Sequence, residues 1–232
     1  MAGLQTIINS ADSLEIDRRK VVGIQITRNE IPRTSATPTY QPWRMKLTVP
    51  SRFYYNQARS LLEALDTIDR NTPEIITFSD NAKLSWIFRY QGAMSAGQIN
   101  NITVQSFGTI SGNDLVLTNL PAVASGTVLF EPNDLIQIGN NPFPFTSTAQ
   151  VLRGSASTVT VYTNRPNILT SSVVGSGITV GNACEFKMFC PNMPVYKLKP
   201  SAYLTSSGGT ILNNAVIEFS DAFNLYEFVG DA

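Results

Sequence analysis

Residues 132–145 read PNDLIQIGNNPFPF. Asn-Asp and Gly-Asn punctuate the two ends of LIQI, which is too short for a stable helix and therefore reads as a strand. The same style repeats outward in both directions. ITVQSFG, DLVLTNL and TVLF precede it, and FPFTSTAQVL, STVTVYT and GITV follow. These are short β-branched or aromatic runs broken by Gly, Asn, Pro and Ser every ~8–12 residues, the spacing of a sandwich or small barrel.

The composition of this stretch differs from what surrounds it. Across 99–183 the only charged residues are Arg153, Arg165, Asp114, Glu131 and Asp134, whereas residues 1–98 carry twelve basic and nine acidic side chains. The flanks 1–98 and 184–232 resemble each other and hold the expected core aromatics Trp43, Trp86, Phe186, Phe189, Phe219 and Phe223. The expectation is a discontinuous core domain, 1–98 plus 184–232, with 99–183 as an inserted β module. Insertions into surface loops cost little closure entropy. WIFRYQG and EFKMFC, the strands expected on either side of the insertion, should then be neighbours.

Within the first flank, KVVGIQITR reads as a strand and IPRTSATPTYQP as a loop, with Pro32, Pro38 and Pro42 breaking regular pairing. WRMKLTVP alternates, with Trp43, Met45, Leu47 and Val49 on one side. The period then changes. Ala58, Leu61, Leu62, Leu65 and Ile68 follow the spacing of an amphipathic helix over about 54–70. Arg59 and Glu63, and Asp66 and Arg70, form i, i+4 pairs on its polar side, and Pro73 prevents continuation. The fold class is therefore mainly β: a barrel or split barrel with one amphipathic helix, plus an inserted small barrel or sandwich.

The chain has 232 residues, 17 basic and 17 acidic, and no histidine. Zero net charge gives no basic footprint for nucleic acid and no polybasic membrane signal. No apolar run is long enough to span a bilayer, and MAGLQTIINSADSLEIDRRK lacks the order of a signal peptide. Histidine-based triads and His-ligated metals are excluded by composition. Cys184 and Cys190 would lie about 20 Å apart on one strand and so be free thiols, unless a turn intervenes. The glycines of GSGITVG are followed by a strand rather than a helix, so a hairpin is the better reading than a nucleotide loop. Asp12, Glu15 and Asp17 read as an exposed N-terminal segment.

Two candidate partner contacts remain. Arg18, Arg19 and Lys20 form a basic run that would grip an acidic neighbour, or else a solvated strand start. Phe143 and Phe145 lie in GNNPFPFTS and would form a carbohydrate or partner platform, or else cap a small core.

Three stretches carry a resemblance. They are Trp43–Gly92 with its strand, helix and strand; PNDLIQIGN followed by VTVYTNRP; and the return to a strand in EFKMFC before a final hairpin. Together they resemble tail-tip and baseplate structural proteins of tailed bacteriophages, similar in layout to distal-tail, or hub-adaptor, proteins. The second stretch resembles a module with a GD-x-I-x-I-G strand, and Asn133 stands where that module has Gly. The resemblance implies a non-enzymatic virion subunit without a cofactor, assembled in the host cytoplasm. It would form part of a ring that joins the tail tube to peripheral baseplate or fibre proteins, its partners being itself and other tail proteins. The alternatives are a receptor- or glycan-binding tail module and, third, a carboxylate-based cell-wall hydrolase.

Overall fold

The computed structural model describes residues 3–18, 22–26, 32–36, 42–49, 53–55, 59, 62–63, 72–108, 112–169, 172–205 and 211–229. The protein is mainly β, and among the described residues its sheets are open rather than closed barrels. It divides into two compact units. Unit 1 comprises 1–16, 44–88 and 185–228; unit 2 comprises 17–43, 89–184 and 229–232. The chain therefore leaves unit 1 and returns to it twice, for 17–43 and for 89–184, before its last residues, 229–232, are assigned to unit 2.

Unit 1 is built on a five-stranded sheet. Its strands are β1 (Ser13–Asp17), β4 (Arg44–Thr48), β6 (Glu74–Thr77), β15 (Glu185–Phe189) and β18 (Phe223–Glu227), in the order β1-β4-β18-β15-β6. Alternation sorts the faces as the sequence requires. Trp43, Met45, Leu47 and Val49 are buried, while Lys46 and Thr48 are exposed. Phe78, Phe88 and Phe186 pack as an aromatic trio with centroid separations of 5.0, 5.9 and 5.7 Å. A second sheet joins β16 (Tyr196–Thr205), β17 (Ile211–Phe219) and β5 (Phe53–Tyr54) in the order β16-β17-β5.

Several expectations for these segments need correction. WIFRYQG is not a strand: Ser85–Phe88 is one turn of 3-10 helix. That turn buries Phe88 and leaves Trp86 68% exposed, so Trp86 is not a core aromatic. EFKMF is a strand, but its neighbours are β6 and β18. Most of the helix expected over 54–70 lies outside the described residues. Tyr54 belongs to β5, opposite Val216, so no helix starts there. Tyr55, Arg59, Leu62 and Glu63 are helical, with Leu62 buried and Glu63 exposed.

The N-terminal stretch is not simply exposed. Gly3–Ser10 forms helix α1, with Leu4, Ile7 and Ile8 buried. Those residues and Ala11 follow the i, i+3, i+4, i+7 rule. Gln5 fixes α1 to the sheet edge by imitating a strand. Its Nε2 donates to the Thr77 carbonyl (2.9 Å) and its Oε1 accepts from the Thr77 N–H (2.9 Å), the reciprocal pair of an antiparallel ladder. Asn81, 1% exposed, donates Nδ2 to the carbonyls of Ile8 and Ala11, which satisfies acceptors at the helix C-terminus.

Unit 2 has its own apolar core, including Ile102, Leu115, Leu117, Phe130, Ile136 and Val161. Three small sheets surround it. One is β13 (Val159–Tyr162), β8 (Asp114–Thr118) and β7 (Thr103–Phe107), in the order β13-β8-β7. The second is β11 (Phe145–Thr146), β10 (Leu135–Ile138) and β14 (Ile178–Val180), in the order β11-β10-β14. The third pairs β12 (Val151–Leu152) with β9 (Val128–Phe130). The ITV of GSGITVG is thus strand β14, and a single helical turn, α2 (Ala96–Ile99), lies before β7. β2 (Val22–Ile26) pairs with β3 (Pro32–Ala36). The expected loop at IPRTSA is therefore a strand. Proline is tolerated there because Pro32 is the first residue of its strand.

Candidate interaction surface

The turn before β10 explains one feature of the sequence. Asn133 has φ +72°, the left-handed region that glycine adopts freely and asparagine tolerates better than other residues. Asn133 in a glycine position therefore leaves the turn intact. Asp134 holds that turn from inside. Its Oδ2 accepts from the Glu131 N–H (2.8 Å) and its Oδ1 from the Gln91 N–H (2.8 Å). Burial pushes the Asp134 carboxyl up, and the N–H donors of Glu131, Gln91 and Gly92 oppose the rise.

The residues expected to contact partners are used within unit 2. Arg18 donates to Thr146 Oγ1 (3.2 Å) and Asn133 Oδ1 (3.1 Å), and its guanidinium lies 5.0 Å from the Trp43 ring centroid. Burial lowers its pKa. Arg18 therefore ties 17–43 to the turn around Asn133. Trp43 Nε1 donates to the Pro144 carbonyl (3.0 Å) and tightens the same junction. Arg19 and Lys20 lie outside the described residues. Phe143 and Phe145 are 3% and 0% exposed, so they cap the core and offer no platform. Phe145 packs edge-on against Phe107 and under the guanidinium of the buried Arg165.

Sequence reading missed a surface on which several aromatic groups meet. It is the outer face of the five-stranded sheet of unit 1. Register places Arg44, Tyr226 and Phe189 in one row across β4, β18 and β15. Phe189 and Tyr226 have centroids 6.0 Å apart, and Phe228 meets Phe189 edge-on at 6.0 Å. Lys187 Nζ lies 5.4 Å from the Phe228 ring, and its cross-strand neighbour Ile75 is 51% exposed. The signal was present in the sequence. Lys187 and Phe189 alternate with the buried Phe186 and Met188, so the outward side of β15 is legible once its strand is fixed. Aromatic groups of this kind are enriched at interface centres, whereas lysine belongs to their rim.

Cys184 and Cys190 are buried thiols at either end of β15; Cys184 Sγ donates to the Thr179 carbonyl (3.3 Å) and Cys190 Sγ to the Asn192 carbonyl (3.5 Å). Among the described residues, no group of three or more His, Cys, Asp or Glu forms a metal-ligand set. No helix among them is long and apolar enough to cross a membrane. No protein-family model matches this chain, and no curated protein matches it either.

Proposed function

We propose that the protein is a non-enzymatic structural subunit of a phage tail tip or baseplate, part of a ring that joins the tail tube to peripheral baseplate or fibre proteins. The observation that carries this reading is the outer face of the unit 1 sheet, where Tyr226, Phe189 and Phe228 form an aromatic strip beside Lys187 and Arg44. Half-exposed aromatics on an otherwise well-packed sheet suit a face that is covered in an assembly. The β-rich build and the second unit inserted through two excursions support the same reading, because each unit can hold a different neighbour. The role is geometric: packed sheets keep contact surfaces at fixed positions. The glycan-binding alternative rested on the Phe143 turn, and both of its rings are in the core.

The test is localisation in purified particles. Gold labelling at the C-terminus is expected to decorate the tail tip in negative stain, and the protein is expected among virion proteins by mass spectrometry. A protein that is missing from purified particles and monomeric in solution overturns the reading.

A further inference from the structure

Among the described residues four strands of unit 1 are outermost: β1 and β6 in the five-stranded sheet, β16 and β5 in the β16-β17-β5 sheet. Gln5 of α1 already pairs with β6, and β5 has only two residues, so β1 and β16 are the edges long enough to take a further strand. Exposed edges offer unpaired backbone groups to another strand. Their side-chain patterns are complementary. Along β1, Glu15 is exposed while Leu14 and Ile16 are half-buried. Along β16, Lys197 and Lys199 are exposed; Lys199 is ion-paired with Glu218 of β17, which lies opposite Lys197, so this pair of strands carries one lysine in excess. Leu198 is 45% exposed although its cross-strand partner Ile217 is 0% exposed. The apolar side of that sheet therefore stops short of its last strand. Val195, just before β16, is 71% exposed.

The lengths agree as well. Pro200 lacks an N–H, and the register of β16 shifts between Ser201 and Leu204, so the regular open edge is Tyr196–Lys199. The opposing edge, β1, is Ser13–Asp17. Directly opposed residues in a ladder point to one face. Placing Glu15 opposite Lys197 therefore sets Leu14 and Ile16 beside Leu198 and Tyr196, extending the apolar side over its uncovered end. This register satisfies both charge and hydrophobic pattern.

We infer that β1 of one copy of this chain adds to β16 of the next. This inference rests on the ring reading above and names its contact. The two edges are different surfaces, so the contact is head-to-tail, the type that closes into rings rather than two-fold dimers. The competing role for Lys197 and Lys199 is to guard an edge against pairing. Guard lysines repel a like edge; with Lys199 held by Glu218, the excess charge is that of Lys197, and a strand carrying Glu15 is a partner it admits.

The test is sedimentation velocity of the full chain at graded concentration and salt, with Glu15→Lys, Lys197→Glu and Leu198→Asn variants. A near-UV circular dichroism spectrum and melt for each variant checks folding. Wild type is expected to associate, more weakly at high salt. Each charge variant alone is expected to weaken association by about tenfold or more, because like charges then face each other. Mixing Glu15→Lys with Lys197→Glu chains restores it, since each reversed edge then meets a reversed partner. Leu198→Asn, at an exposed position, weakens association without lowering the melting temperature. Association unchanged by all three variants overturns this contact and leaves the ring reading standing on another surface. A chain monomeric at every concentration also overturns it; the ring reading then depends on particle labelling.

Discussion

Phe88 lies 5.7 Å from Phe186, centroid to centroid, with the rings inclined at 47°. All of 89–184 lies between them in the chain. The residue that leaves unit 1 for the long excursion thus packs against one that returns from it, and Phe78 completes the cluster at 5.0 Å and 5.9 Å. Phe186 is 0% exposed. Phe186→Ala is expected to lower stability by about 3–5 kcal/mol through lost burial and a cavity, read by urea denaturation. A loss below about 1 kcal/mol would mean that the cluster does not close the excursion.

The half-described helix offers a sharper contrast. Leu62 is 4% exposed and Glu63 is exposed. Leu62→Ala is expected to cost about 2–5 kcal/mol, and Glu63→Ala only tenths. Equal small effects would show that this stripe awaits a partner rather than facing the core.

Alkaline pH tests the junction around Tyr90. Burial pushes the Tyr90 hydroxyl up from 10.0 to about 12, and the charge of Asp134 adds to the rise. Tyr90 donates its proton to the Leu129 carbonyl, a bond that the phenolate loses. The folded-state value is the higher one, so the neutral form is favoured by folding. Its contribution is complete below pH 10.0 and lost as pH rises towards about 12. Melting temperature is expected to fall across that window, and less steeply in Tyr90→Phe. Identical slopes in both proteins would remove Tyr90 as the cause.

Deleting 89–184 alone is expected to fail. Trp43, 2% exposed, bonds to Pro144, and Arg18 bonds to Asn133 and Thr146, so the excursion over 17–43 loses its cover when the module goes. A chain that lacks both excursions, each closed by a short Gly-Ser linker, is expected to keep a cooperative melt. If the single deletion melts cooperatively and the double deletion is molten, the division into units is wrong.

How much of this was legible depends on which residues carry a periodic signal. WRMKLT and EFKMF declare their buried sides by alternation, and LIQI declares a strand by its bounding turns. Leu4, Ile7, Ile8 and Ala11 carried an equally plain helical spacing, hidden because the acidic Asp12, Glu15 and Asp17 drew attention to charge. Trp86 and Phe88 were not separable, since one 3-10 turn decides which ring turns inward. Phe143 and Phe145 left both roles open, because Pro-Phe alternation has no period that separates a surface from the end of a core. Arg18 found Asn133 and Thr146 across more than a hundred residues of chain, a distance over which no local pattern speaks. The aromatic strip depends on register between β15 and β18, which pairing sets and local sequence does not.

The two excursions also govern what a protease can do. The chain passes between the units at 16/17, 43/44, 88/89, 184/185 and 228/229. A single cut at any point between the first and last of these therefore releases neither unit whole. Cleavage at the exposed residues 124–126, for example, gives an N-terminal piece that owns α1 and β4 of unit 1 together with β7 and β8 of unit 2. The C-terminal piece owns β15 and β18 of unit 1 together with β9 and β10 of unit 2. Each fragment carries half of two separate cores, so the nicked protein stays assembled by complementation until both cores melt.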